Sequence, residues 1–282
     1  MNPYLIEGPA LISFSGGRTS AFMLYQIIQA WGGALPDDVV VAFANTGKER
    51  EETLRFVHEC GSRWGVNIVW LEFWKRSGPM KERFDVVGYN SADRTGAPLA
   101  RLIAAKKFTP NSAMRFCTEE AKINTIRAYL EADLGWTRWN NVVGLRRDEG
   151  ARAIKKYAQN AEGKTPWLNV LPLDKAGVTK ADVLAFWAAQ DFDLGLRGYE
   201  GNCDLCFLKG RGTLKAIMRE RPGAADWWIE QERVGNGRFV TEYSYADLAR
   251  EVAEQPHLFD EIEDADVEGD CPDSCPADRR AV

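Results

Sequence analysis

The segment Leu11-Ile-Ser-Phe-Ser-Gly-Gly-Arg-Thr-Ser20 is an apolar run that breaks at Ser-Gly-Gly and resumes as Ala21-Phe-Met-Leu-Tyr-Gln-Ile-Ile-Gln29. The pattern predicts a strand, a tight turn and a helix. Gly16 and Gly17 tolerate positive φ and let backbone N–H groups approach an anion, while Ser15, Thr19 and Ser20 add hydroxyls at the positive end of the helix. The turn therefore reads as an oxyanion site, with Arg18 beside it. It holds no G-x-x-x-x-G-K-S/T and no G-x-G-x-x-G, so it is neither a Walker A loop nor the dinucleotide fingerprint.

Outward from that turn, residues 11 to 72 alternate as β-α-β-α-β, with further strands at Val39–Ala44 and Val66–Glu72. Alternation of this kind predicts a parallel sheet with right-handed crossovers, whose ligands bind beyond the carboxyl ends of the strands. Ser15–Gly17 and Asn45-Thr46-Gly47 then fall on one rim, because each directly follows a buried strand. A later strand, Asn140–Leu145, delivers Gly144, Arg146 and Arg147 to the same rim, with Arg152 a few residues on. Arginines there suit bidentate binding of phosphate or sulfate; the alternative is a surface ion-pair cluster. Glu49, Glu51 and Glu52 suit either a metal or the acidic first turn of a helix.

Between Trp74 and Pro110 the periodicity weakens, which predicts an insertion, as a solvated loop or a lid. Residues 118 to 132 read as a helix with Thr118 as N-cap. Trp227 and Trp228 lie in a C-terminal helical stretch over residues 214 to 233 and are assigned to a packing face. The chain has 282 residues, 45% of them hydrophobic, enough for one sizeable α/β core plus a smaller appended region. A formal net charge of −5 argues against a general nucleic-acid coat. No run of 18 apolar residues occurs and the N-terminus lacks a signal-peptide pattern, so a soluble, cytoplasmic protein with no membrane partner is expected. Six cysteines with a Cys203-x-x-Cys206 pair point to metal, cluster or redox use rather than to a secreted disulfide framework. Cys60 reads as core; His58 and His257 receive no role.

Four segments in one order carry a family resemblance. Ser13-Phe-Ser-Gly-Gly-Arg-Thr-Ser20 resembles the PP-loop S-x-G-G-x-T/S-S. Asn45-Thr-Gly-Lys-Glu-Arg-Glu-Glu-Thr53 resembles N-T-G-x-E-x-x-E-T, Arg115-Phe-Cys-Thr-Glu-Glu-Ala-Lys122 resembles R-x-C-T-x-x-x-K, and Gly144-Leu-Arg-Arg-Asp-Glu149 with Arg152 resembles G-x-R-x-D-E-S-x-x-R. On these the chain is similar to the adenine-nucleotide α-hydrolase superfamily, and within it to the phosphoadenylyl-sulfate (PAPS) reductases. The resemblance implies a Rossmann-like, doubly wound, mainly parallel α/β sheet with a smaller, mostly helical C-terminal region. The expected division is a PP-loop domain over 1–175, a helical region over 176–260 carrying the C-x-x-C, and an acidic tail over 261–282.

The same resemblance implies an adenine nucleotide, ATP or PAPS/APS, held by Ser15, Gly16, Gly17, Arg18, Thr19, Ser20, Asn45, Thr46, Gly47, Gly144, Arg146, Arg147 and Arg152. It implies sulfur transfer or reduction through an adenylylated substrate, the alternatives being an ATP pyrophosphatase that activates a nucleic acid for thiolation or other modification and a non-catalytic nucleotide-binding module, with Mg2+ if ATP is used, and a redox protein, a sulfur carrier or a nucleic acid as partner. Cys117, Cys203 and Cys206 are the thiolates for a 4Fe-4S iron–sulfur cluster, or alternatively for Zn2+. Either metal site normally takes four protein ligands, and the sequence offers three. Cys271 or Cys275, solvent or a sulfur substrate would complete the set. Two departures stand out. Phe116-Cys117 replaces the cysteine pair of assimilatory adenylyl-sulfate reductases, and no E-C-G-x-H segment is present. Cys271-Pro-Asp-Ser-Cys275 holds a comparable tail position as catalytic candidates, although the acidic residues around it would raise thiol pKa.

Overall fold

The structure, a computed structural model, describes residues 2–254. Six strands form one sheet in the order β4-β3-β2-β1-β5-β6. They are β1 (Ala10–Ser13), β2 (Val39–Asn45), β3 (Ile68–Phe73), β4 (Phe84–Val87), β5 (Trp139–Val142) and β6 (Trp167–Val170). All neighbours pair in parallel except β3 with β4. Central strands of such a sheet are covered on both sides, which is why β2 is a continuous apolar run rather than an alternating one. Ile12, Val41 and Phe43 enter one core, while Leu11, Ala42 and Ala44 enter another on the opposite face, as a two-residue repeat requires.

On the first face lie α1 (Arg18–Ala30), α2 (Glu51–Trp64) and the helix Lys180–Ala188, whose Phe186 meets Phe22 edge to face at 5.1 Å. Val183, Trp187, Leu194 and Leu196 belong to this same core, so residues past 175 help close the sheet. On the second face lies the helical rod Phe116–Thr118, Glu119–Asn124 and Thr125–Ala132. Its middle segment is a π-helix, and Arg115 rather than Thr118 stands at its N-cap. A third core gathers α3 (Ala97–Lys106) with the C-terminal helices Arg211–Glu220, Asp226–Val234 and Tyr245–Glu254 around Trp228, Phe239 and Tyr245. Trp228 is 1% exposed and stacks on Tyr245 at 5.2 Å, a packing role as expected.

The stretch read as an insertion instead supplies the edge strand β4 and α3. Phe84-Asp-Val-Val is four residues long and exposes Asp85 and Val86, too short for a periodicity to register. The sheet order turns at β1, flanked by β2 on one side and β5 on the other, and a crevice opens beyond the carboxyl ends at such a point.

Candidate functional site

The turn after β1 sits at that crevice. Gly16 has φ +82°, and a Cβ there would stand 2.8 Å from Thr53 Cγ2, so only glycine lets the turn lie flat against α2. Gly17 precedes α1 without a side-chain cap, and the first amides of α1 have no intrahelical partner. Ser20 Oγ donates to the Gly17 carbonyl at 3.0 Å, and Ser15 Oγ donates to Ser20 Oγ at 2.9 Å. Arg146 is 5% exposed; its Nη1 donates to Thr19 Oγ1 at 3.1 Å and its Nε to Asp148 Oδ1 at 2.9 Å, which pins the β5 loop to the turn. Gly144 approaches the backbone of Ser20, where an added Cβ would lie 3.4 Å from Ser20 Cα.

A small cleft of about 100 Å³, partly open to solvent, runs from this turn down the sheet face beneath the helical rod. Ser15, Ser20 and Gly144 line its mouth, with Arg152, Lys156 and Lys122 around them. Leu11, Ile126, Leu130 and Trp139 make its inner wall apolar. Polar groups on the floor are linked: Ser13 Oγ donates to Asn141 Oδ1 at 2.8 Å, and Asn141 Nδ2 to Asn169 Oδ1 at 3.1 Å. Cationic walls and aligned amides at one end with an apolar slot behind them suit a phosphorylated or sulfated ligand with a flat, weakly polar body.

Lys122, Lys156, Ser13 and Asn141 were not picked out by the sequence as site residues. Lys122 closes the R-x-C-T-x-x-x-K segment, and Lys156 stands one helical turn after Arg152; these spacings were the only signals. Lys122 Nζ also lies 3.0 Å from Glu49 Oε1. Its place in the π-helical segment fits the tendency of such segments to mark functional positions.

All four expected arginines are engaged by carboxylates, Arg152 by Glu149 although it lines the cleft. Arg18 Nε donates to Asp193 Oδ1 at 2.7 Å and its Nη2 to the Leu196 carbonyl at 3.1 Å, and Arg18 does not line the cleft. Arg147 is largely exposed and reaches Asp174 at 3.4 Å.

The Asn45–Gly47 turn is on the rim but wholly buried. Asn45 Nδ2 donates to Glu72 Oε1 at 2.6 Å and to the Asp93 carbonyl at 2.8 Å, while its Oδ1 accepts the Gly47 N–H at 3.0 Å. Thr46 donates through both N–H and Oγ1 to Glu49 Oε2, each at 2.8 Å. Burial pushes the Glu72 carboxyl above its usual range. Glu51 pairs with Arg94 and Glu52 with Arg50 in the first turn of α2, so these carboxylates act as helix-end and ion-pair groups.

Cys203 and Cys206 lie beside this brace. Cys203 forms an antiparallel bridge with Glu49, and the flanking bonds Asp204 N–H to the Lys48 carbonyl (3.0 Å) and Arg50 N–H to the Asn202 carbonyl (2.7 Å) extend it into a short ribbon. The turn is backed by Tyr245, whose hydroxyl donates to the Leu205 carbonyl at 2.6 Å, and by Trp228, whose indole donates to Asp204 at 3.0 Å. The two thiols hydrogen-bond to each other. That bond, with Lys209 and Arg115 nearby, draws the Cys206 thiol below its ordinary value and leaves Cys203 well above it. Cys117 lies on the helical rod and packs against the C-terminal core. Among the described residues no group of three or more His, Cys, Asp and Glu is placed to hold a metal. Among the described residues Cys203 and Cys206 are the two thiols that one turn brings together, with Cys117 packed against the same C-terminal core. Cys271 and Cys275 lie outside the described residues, as does His257.

A flat glycine turn feeding a helix N-terminus at the crossover of a mostly parallel sheet defines an α/β protein of the PP-loop, Rossmann-like class. Residues 9–194 match the phosphoadenosine phosphosulfate reductase domain, and the chain belongs to that family. It is 28% identical over 216 residues to an uncharacterized nin region protein, ORF290, of Escherichia phage lambda, covering 76% of this chain and 70% of that protein. It is 25% identical over 245 residues to an uncharacterized protein of Methanocaldococcus jannaschii, covering 82% of this chain and 44% of the archaeal one. A solved structure, the U34-tRNA thiolase NcsA of Methanococcus maripaludis with its [4Fe-4S] cluster, aligns with 95% of this chain and 79% of its own, at 14% identity and a TM-score of 0.41. At that level of superposition nothing about its substrate or cluster transfers. No helix among the described residues is long and apolar enough to cross a membrane.

Proposed function

We propose that the chain is an enzyme that binds an adenine nucleotide in the cleft beneath the helical rod and acts in sulfur transfer or reduction through an adenylylated substrate. The observation that carries this reading is the cleft itself. It is lined by Ser15 and Ser20, the two ends of the glycine turn, together with Arg152, Lys156 and Lys122, and by the apolar Leu11, Ile126, Leu130 and Trp139. In this reading the turn amides and the Ser20 hydroxyl hold the phosphate or sulfate oxygens. Arg152 and Lys156 neutralise them, and Arg146, seated on Thr19, keeps the turn in shape. Positioning and charge stabilisation of this sort supply most of the barrier reduction when a phosphorus or sulfur centre is transferred.

Two versions of the reaction share that machinery: reduction of an adenylyl-sulfate to sulfite, and ATP-driven activation of an acceptor such as a nucleic acid for thiolation. A thiolate-bound cluster or zinc would require ligands beyond Cys203 and Cys206, so no step is routed through one. Incubation with labelled ATP and, separately, with PAPS tests the proposal. AMP with pyrophosphate identifies activation, and sulfite identifies reduction. If neither ligand binds, or both bind without turnover in the presence of a dithiol reductant and a candidate acceptor, the enzymatic reading is overturned.

A further inference from the structure

The two-thiol site and the phosphate turn are joined by one side chain. Asn202, 4% exposed, donates from Nδ2 to the Ser15 carbonyl at 3.0 Å and accepts at Oδ1 from Thr53 Oγ1 at 3.3 Å, while its own carbonyl takes the Arg50 N–H at 2.7 Å. The next residue is Cys203, and the turn at Asp204-Leu205 brings Cys206 back opposite it. In a β-turn the outer Cα atoms lie within about 7 Å, which is the span a disulfide bridges. Both cysteines are half-buried, and they flank the Asp204-Leu205 turn from its two sides.

From this we propose that Cys203 and Cys206 form a reversible dithiol–disulfide couple, and that Asn202 carries its state to the phosphate-binding turn. The second half rests on the nucleotide reading above; the first half does not. The oxidant is a disulfide-bearing partner. Cys206 thiolate attacks one partner sulfur, forming a mixed disulfide and expelling a partner thiolate that takes up a proton. Cys203, deprotonated, then attacks Cys206 Sγ, the mixed disulfide breaks and the second partner sulfur leaves as a thiol. Two thiols here are oxidised, one partner disulfide is reduced, and the steps run backwards in a reducing medium. Closing the bridge fixes the separation of residues 203 and 206. Residue 202 is one peptide bond away, so a change in its backbone is felt at the Ser15 carbonyl and hence at the amides of the turn.

The full chain is equilibrated with reduced and oxidised glutathione at graded ratios, the free thiols are alkylated, and the disulfides are mapped by peptide mass. The Cys203–Cys206 bridge is expected to appear in one two-electron transition, and Cys203→Ser is expected to leave glutathione trapped on Cys206. ATP and PAPS affinities are then measured on the reduced and oxidised forms, where a difference of about fivefold or more is expected, the lower end of typical coupling between sites. Asn202→Ala and the milder Asn202→Asp are expected to form the bridge over the same glutathione range while the affinity difference falls below about twofold. The couple is overturned if no poise yields this bridge, if either cysteine pairs with Cys117, Cys271 or Cys275 instead, or if tightly bound metal shields both thiols in the purified protein. The Asn202 link is overturned if both variants keep the wild-type difference. Failure of both nucleotides to bind in either redox state counts against the nucleotide reading alone, since the disulfide map still decides the couple.

Discussion

Two turns on the same rim of the sheet, Ser15–Gly17 after β1 and Asn45–Gly47 after β2, look alike in sequence and behave differently in the fold. Each follows a buried strand, each has a glycine at positive φ, and each offers small polar side chains. In the first, Ser15 lines the cleft and Gly17 leads into the N-terminus of α1. The second spends its polar groups on Glu72, Asp93 and Glu49, and none of its three residues lines the cleft. The lesson is that two rim turns of like sequence are told apart by whether their side chains line a cleft or bond to buried carboxylates. The β2 turn instead braces the ribbon that carries Cys203 and Cys206.

The sharpest way to break this contrast is Gly47→Ala. A Cβ there collides with Asp93 and lies 2.8 Å from the Gly96 backbone, at φ +77°. Unfolding free energy is expected to drop by about 3 kcal/mol. Denaturant melts read the loss, and the folded fraction should keep its ATP affinity within about twofold. An affinity collapse at unchanged stability would make the β2 turn a binding element after all.

Arg152→Ala should do the reverse. Nucleotide affinity is expected to weaken by about tenfold, the worth of one charge-assisted bond, with stability changed by no more than about 0.5 kcal/mol. Calorimetric titration beside a thermal melt separates the two readouts.

The brace also predicts a pH effect. Burial alone would push the Glu200 carboxyl up, but the Arg197 N–H and the Arg50 guanidinium outweigh it and hold the group down at about 2. A depressed carboxyl stabilises the fold above its ordinary value of 4.5 and loses that contribution as pH falls from there towards about 2. Melting temperatures through that window should fall more steeply for the wild type than for Glu200→Gln. Parallel curves would show that this pair does not matter to stability.

The smallest effect is expected at Arg147, whose side chain is 68% exposed and whose ion pair with Asp174 spans 3.4 Å. Arg147→Ala should change affinity by less than about twofold and stability by less than about 0.5 kcal/mol. A larger loss would return it to the site beside Arg146.

The sheet, its crossovers and the glycine turn after β1 were legible because each is written in local spacing: a buried run, a glycine pair, then a 3.6-residue apolar repeat. β4 escaped notice because four half-exposed edge residues show too short a pattern. The roles of Arg18 and Arg147 escaped it for a different reason. A guanidinium goes to whichever carboxylate the fold brings near, and Asp193 lies 175 positions from Arg18.

The amino-acid sequence by itself determined the strand-turn-helix after residue 10, which depends on residues within a few turns of one another, and the family, which is carried by four short segments in a fixed order. Tertiary structure alone decided that Asn45–Gly47 is bonded to buried carboxylates, that Lys156 and Asn141 line the cleft, and that Cys203 and Cys206 face each other across one turn. Those outcomes depend on partners far apart in the chain: Asp93, 48 residues from Asn45, or Asn202, 187 residues from Ser15. Whether a polar group is left open to a ligand is settled only when such distant partners have arrived.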